Sequence, residues 1–168
     1  MAKSFRLNAV AGSALIFSSI FFADWLTKFF IISHLSLGQV VEVIPRLFNL
    51  TLVYNPGVAF GFLGDLPDFT RQVAVWFVSA IALGVIVYLM RWEAKNDVWA
   101  RHALCAILAG ACGNMLDRYR YDYVIDFLDF YWGNYHWPAF NVADSAICLG
   151  VTFLFLRTFF RGAGDETV

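Results

Sequence analysis

Five polar clusters interrupt an otherwise apolar chain, and carboxylates and side-chain amides dominate them. Asp24 and Lys28 stand four apart in DWLTK, Asn55 opens NPGVAF, and Asn114, Asp117 and Arg118 close AGACGNMLDR. Asp126 and Asp129 lie in VIDFLDF, and Asn141 and Asp144 end PAFNVAD. Acid–base work by a carboxylate pair needs two acids close together and free of competing cations, so that one stays ionised while the other is pushed to a higher pKa. Asp24 has Lys28, Asp117 has Arg118, and Asp122 has Arg118 four residues before it, whereas Asp126, Asp129 and Asp144 have no base within four residues. Local sequence therefore selects Asp144 with either Asp126 or Asp129 and does not choose between the last two. Other chemistries find little support. There is no HExxH, and His34, His102 and His136 are scattered, so a zinc peptidase is not expected. A GxSxG nucleophile elbow is also missing. The sequence calls for neither metal nor cofactor.

Each cluster also has an architectural explanation. Four-residue spacing puts Asp24 and Lys28 on one helical face as an ion pair. Asn55, Pro56 and Gly57 are turn formers. Gly110 and Gly113 permit close helix packing. Asn141 with Asp144 reads as a helix N-cap followed by an acid three residues later. Asp117, at a helix C-terminus, opposes the helix dipole unless a cation such as Arg118 offsets it, which predicts an Asp117–Arg118 network.

The elements that must position these groups belong to a membrane protein. Of 168 residues, 60% are hydrophobic and 15% charged, against about a quarter charged in an ordinary soluble domain. The net charge is −1 and no polybasic run exists, so nucleic-acid binding is excluded. Cys105, Cys112 and Cys148 are an odd number without CxxC spacing and read as small apolar packing residues. Crossing the hydrocarbon takes about 20 apolar residues, and four segments qualify: Leu7 to Ile32, Gln72 to Met90, Val98 to Leu116, and Val142 to Phe160. Asp24 and Lys28 lie inside the first, and no small-x-small site closes it, so it reads as a retained span rather than a cleaved signal.

Four spans return both termini to one side. Lys3, Arg6, Arg91, Lys95, Arg101, Arg157 and Arg161 fall on that side, against Lys28, Arg46, Arg71, Arg118 and Arg120 on the other, which predicts cytoplasmic termini. The stretch from Val40 to Tyr54, broken by Pro45, reads as strands at the outer membrane surface. Tyr119, Tyr121, Tyr123 and Ile125 would share one face if that stretch were extended, and Trp132, Tyr135 and Trp137 suit the headgroup level. The expected fold is thus an all-α membrane protein, four transmembrane helices with a small β-rich platform on the outer surface, in a single domain over residues 1–168. All five clusters fall at the outer ends of the spans or in the outer segments. Ionisable groups near the membrane interior usually mark function. A transporter would instead place polar residues along the whole depth of a helix, and a lipid-binding scaffold would leave their convergence unexplained.

Taken together, DWLTK (24–28), NPGVAF (55–60), AGACGNMLDR (109–118), VIDF (124–127) and PAFNVAD (138–144) resemble the lipoprotein signal peptidases, or type II signal peptidases, in order and spacing. One departure is Ala109, where the family pattern often has glycine. The resemblance implies an inner-membrane aspartyl endopeptidase that removes the signal peptide of a bacterial prolipoprotein just before its diacylglyceryl-modified cysteine, with its site near the periplasmic face. It implies a catalytic dyad of Asp126 and Asp144. Asn55, Gly110, Asn114, Arg118, Asn141 and Ala143 would line or support the site, and Asp24 with Lys28 would form a structural pair. Its partners would be the diacylated precursor, membrane lipids and a globomycin-type inhibitor; nothing in the sequence compels an oligomer, so a monomer is expected.

Overall fold

The computed structural model describes residues 2–57, 67–95 and 97–165, with side chains described between residues 10 and 160. Val58, Ala59 and Phe60 of NPGVAF lie outside the described residues, as do the side chains of Lys3, Arg6 and Arg161. Among the described residues, four helices and four strands follow in order: α1 (Ala2–His34), β1 (Val40–Ile44), β2 (Phe48–Asn55), α2 (Asp68–Tyr88), α3 (Val98–Tyr121), β3 (Val124–Trp132), β4 (Tyr135–His136) and α4 (Val142–Asp165). A π-helical turn, Leu89–Glu93, extends α2.

Three of the helices are long and apolar enough to cross a bilayer, over Val10–His34, Asp68–Glu93 and Val142–Phe160. They turn large apolar side chains such as Phe29, Phe77 and Phe155 outward, the arrangement expected where the surroundings are lipid rather than water. The fourth expected span, α3, is a helix but does not reach that apolarity. Its sequence is rich in alanine and glycine, and Ala103, Ala109, Gly110 and Gly113 are buried, so other helices rather than lipid cover much of it. A Cβ at Gly110 would collide with the Ala143 carbonyl oxygen, and one at Gly113 would meet Asp24 Oδ2 at 2.5 Å. The two glycines let α3 approach α1 and α4 at the depth where the polar residues lie.

α3 extends beyond the expected Leu116 to Tyr121, so Tyr119 and Tyr121 are helical rather than extended. Asp122 ends it in the left-handed region, with φ 66° and its N–H bonded to the Arg118 carbonyl. An aspartate tolerates that geometry better than most residues. The chain then enters β3, and Asp117, one turn before the cap, accepts from the Ile125 N–H at 3.2 Å. At the far end of the bundle, Asp97 caps α3 through the Ala100 N–H at 3.1 Å and takes Arg157 of α4 at 2.8 and 2.9 Å.

The strands form an antiparallel sheet in the order β1-β2-β3-β4. Pro45 falls in the turn between β1 and β2, as the sequence indicated. Register pairs Asn55 with Val124, Val53 with Asp126 and Asn49 with Asp129, with a bulge between Leu50 and Val53. Phe140 bridges Leu128, which lays the segment before α4 along β3. Ile31, Leu52, Ile125 and Phe127 form the buried cluster that seats the sheet on α1.

Candidate active site

Residues of α1, β2, α3, β3 and α4 meet in one hydrogen-bonded network. Asn141 and Asp144 form a capping box at the start of α4. Asp144 N–H donates to Asn141 Oδ1 at 2.9 Å, and Asn141 N–H donates to Asp144 Oδ2 at 3.2 Å, so each satisfies a backbone donor that the helix start leaves free. Asn141 is fully buried. Its Nδ2 reaches Asp126 Oδ1 at 2.8 Å, Asn114 Oδ1 at 3.1 Å and the Ile125 carbonyl at 3.2 Å, three acceptors for two hydrogens. Asn55 Nδ2 donates to Asp126 Oδ2 at 3.0 Å, and Asn114 Nδ2 to Asp144 Oδ1 at 2.8 Å.

Groups that can only donate fix all three amide orientations. Asn55 Oδ1 takes the Gly57 N–H, Asn141 Oδ1 takes the Asp144 N–H, and Asn114 Oδ1 takes Lys28 Nζ at 3.0 Å. In each case the nitrogen must face a carboxylate. Both oxygens of Asp126 and both of Asp144 therefore receive an N–H.

Behind this layer, Lys28 is 2% exposed and pairs with Asp24 and Asp117, both at 2.8 Å. Asp24 also takes the Ala143 N–H at 2.8 Å. The network expected between Asp117 and Arg118 does not form in that way. Asp117 turns inward to Lys28 and the Ile125 N–H, while Arg118 donates to the Gly57 carbonyl at 2.7 Å and to the Asn114 carbonyl at 3.3 Å. A buried ammonium answers the acid better than an adjacent side chain on the same helix, whose direction diverges by about 100°.

Asp126 and Asp144 border one cavity of about 600 Å³, with Asn55, Asn114 and Arg118 on its wall. Asp129 does not. Three residues on along β3, its side chain leaves the other face of the strand, where it accepts from Asn49 Nδ2 at 2.9 Å and meets His136 Nδ1 at 2.8 Å. Among the described residues, neither Asp126 nor Asp144 is in an ion pair. Burial, followed by the nearby charge of Asp144, pushes the Asp126 carboxyl up to about 7. A carboxyl in that range can hold and release a proton near neutrality.

Gly110 and Ala143 lie in the packing beneath the wall rather than on it. The sequence reading missed Val78, Ser79 and Ala82 of α2, Trp137, and Ser145 with Cys148 on α4, all of which line the cavity. Cys148 is thus more than packing, while Cys105 is buried as expected. The position of Cys148 four residues after Asp144, one helical turn along the same face, was the available signal.

The fold and site define an integral membrane protein with a built polar centre at one end of an apolar bundle. The sequence pattern of the signal peptidase (SPase) II family matches residues 16–160. A lipoprotein signal peptidase of Syntrophus aciditrophicus is 47% identical over 131 residues, 78% of this chain and 81% of that protein. One of Shewanella pealeana is 39% identical over 150 residues, covering 88% and 85%. A solved bacterial membrane enzyme superposes with a TM-score of 0.84 at 28% identity, covering 95% of this chain and 94% of that one. The chain belongs to the signal peptidase II family and is a membrane-embedded protease.

Proposed function

We propose that this protein cleaves the signal peptide from diacylglyceryl-modified bacterial prolipoproteins, just before the lipidated cysteine, and that it does so as an aspartic endopeptidase with Asp126 and Asp144 as its dyad. The observation that carries the assignment is that these two carboxylates, free of ion pairs among the described residues, border one largely apolar cavity.

Asp126 holds the shared proton at rest. Asp144 takes a proton from water as the water oxygen attacks the scissile carbonyl carbon, and Asp126 gives its proton to the carbonyl oxygen. The gem-diol then returns a proton to Asp126 and Asp144 protonates the leaving amine. The C–N bond breaks, giving a carboxylic acid and the free amino group of the lipidated cysteine. Asn55, Asn114 and Asn141 hold the carboxylates in place, and Arg118 lies where it can orient the substrate backbone. The acyl chains stay in lipid while the peptide enters the cavity, and a globomycin-type cyclic peptide occupies the same space. On this reading α3 crosses the membrane with the other three helices, and the chain is one domain and a monomer. It sits in the inner membrane with both termini cytoplasmic and the site toward the periplasm.

The test is cleavage of a diacylated precursor by folded, detergent-purified variants. Asp126→Asn and Asp144→Asn should each lose several orders of magnitude in turnover while precursor still binds. The double variant should be scarcely worse than either, because residues acting as a unit are not additive. Asp129→Asn should retain substantial turnover. A dead Asp129→Asn beside an active Asp126→Asn would reassign the dyad, and activity in all three would end the aspartic reading.

A further inference from the structure

An ion pair between Asp24 and Lys28 would need only one or two of the three ammonium hydrogens, and Lys28 uses all three. Two go to Asp24 and Asp117, each at 2.8 Å, and the third to Asn114 Oδ1 at 3.0 Å. Asn114 is not part of that ion pair: its nitrogen donates to Asp144 at 2.8 Å, and its oxygen also accepts from Asn141 Nδ2, which reaches Asp126. Turning the Asn114 amide over would set its NH2 against the Lys28 ammonium and the Asn141 NH2, and its oxygen against the Asp144 carboxylate, so all three contacts would become repulsive. We propose that Lys28 is a positioning residue for the peptidase dyad, locking the Asn114 amide so that its nitrogen faces Asp144 and its oxygen holds Asn141 against Asp126. The charge-assisted bond also polarises the amide and strengthens its donation to Asp144. This role goes beyond holding α1 to α3, and it rests on the assignment of Asp126 and Asp144 as the dyad.

Among the described residues, the charged groups facing Asp126 are Asp144 of α4, Lys28 with Asp24 of α1, and Arg118 with Asp117 of α3, and β2 presents the amide of Asn55. The Lys28 charge opposes the rise of the Asp126 carboxyl. The experiment measures kcat, KM and the pH profile of folded Lys28→Met on a diacylated precursor, beside wild type and Asp144→Asn. The expected result is a fall in kcat of about 100-fold per folded molecule with KM nearly unchanged, and an alkaline limb displaced to higher pH. A folded Lys28→Met enzyme with wild-type kcat and an unmoved limb overturns the proposal. Where that variant yields no folded protein, Asn114→Asp decides, since it keeps an oxygen for Lys28 and loses the nitrogen that faces Asp144. Wild-type turnover in Asn114→Asp overturns the proposal and a comparable loss of kcat supports it. Activity in Asp144→Asn would instead remove the dyad itself, whereas a dead Asp144→Asn beside active Lys28→Met and Asn114→Asp removes only the positioning role.

Discussion

The side-chain nitrogen of Asn141 lies 2.8 Å from Asp126 Oδ1, while the oxygen of the same amide takes the Asp144 N–H at 2.9 Å. One residue thereby starts α4 and sets the two carboxylates relative to each other. Asn141→Ala should lose the cap, about 1 kcal/mol of stability, and also activity. Asn141→Asp keeps an oxygen for the cap but brings a third acid against Asp126. Because the fully buried position then loses the N–H donated to Asp126, Asn114 and the Ile125 carbonyl, its melting temperature should fall even though the cap is kept, and turnover should fall by about 100-fold or more. Thermal unfolding in detergent together with precursor cleavage checks both, and an active Asn141→Asp would make the amide dispensable.

Two helical glycines should respond in opposite ways to the same change. Gly110→Ala drives a methyl group into the Ala143 backbone oxygen, and its second neighbour, Ile147 Cγ1, is 2.9 Å away. α4 must then move, and the capping box with it. Loss of several degrees in melting temperature and most of the turnover is expected. Among the described residues, nothing lies within 4 Å of a Cβ added at Gly84 on α2, so Gly84→Ala should be neutral or stabilising by up to about 1 kcal/mol, with activity retained. Equal effects in the two variants would contradict the close approach of α3 and α4.

Asp24 is 1% exposed and holds both Lys28 and the Ala143 N–H. Asp24→Asn leaves Lys28 its pair with Asp117 but turns an amide NH2 toward either the ammonium or the Ala143 N–H, so one buried donor loses its acceptor at a cost of about 1–3 kcal/mol. Asp24→Asn should therefore lower folded yield and melting temperature at least as clearly as turnover per folded molecule. A variant that is fully stable yet inactive would contradict the structural assignment.

The legible part of this protein was set by composition and local pattern. Apolar run length gave the positions of the helices, and Pro45 divided β1 from β2. Depth along the helices announced that the five polar clusters would meet. What local pattern could not supply was the direction of side chains. Asp117 looked committed to Arg118, but α1 brings Lys28 to it from another helix. Asp126 and Asp129 looked equivalent, since neither has a base nearby in sequence, and only strand alternation with the approach of α4 sends one to the cavity and the other to His136. The tyrosine alternation pointed to a strand because period-two spacing carries no information about where a helix stops, which Asp122 decides through its left-handed conformation.

Orientation in the membrane can be checked by thiol labelling. Single cysteines at positions 95 and 134, in a background lacking the native ones, lie at opposite ends of the described bundle, near the start of α3 and in the β3–β4 turn. With cytoplasmic termini, a membrane-impermeant maleimide should modify position 134 in intact cells and leave position 95 unlabelled until the membrane is opened. The reverse pattern would put the site on the cytoplasmic side.

The protonation of Asp126 links activity and stability, and both are favoured by the protonated form. Burial and the Asp144 charge raise its carboxyl to about 7 in the folded protein, while in the unfolded chain it titrates near the ordinary value of about 3.9. Between those values the native state binds a proton that the unfolded state has released, so the contribution of Asp126 to stability falls as pH rises from about 4 through about 7. The rate should fall over the upper part of that range, as Asp126 loses the proton it gives to the carbonyl oxygen, leaving an alkaline limb near 7. Asp126→Asn carries no such charge. It forfeits one hydrogen bond, because its NH2 must face the donor of Asn55 or Asn141, a loss of about 1–3 kcal/mol that does not depend on pH. The melting temperature of the inactive Asp126→Asn variant, measured against wild type from about pH 5 to about pH 8, should therefore gain on wild type as pH rises. A constant difference across that range would mean that Asp126 does not titrate there, and with it would go the assignment of the resting proton.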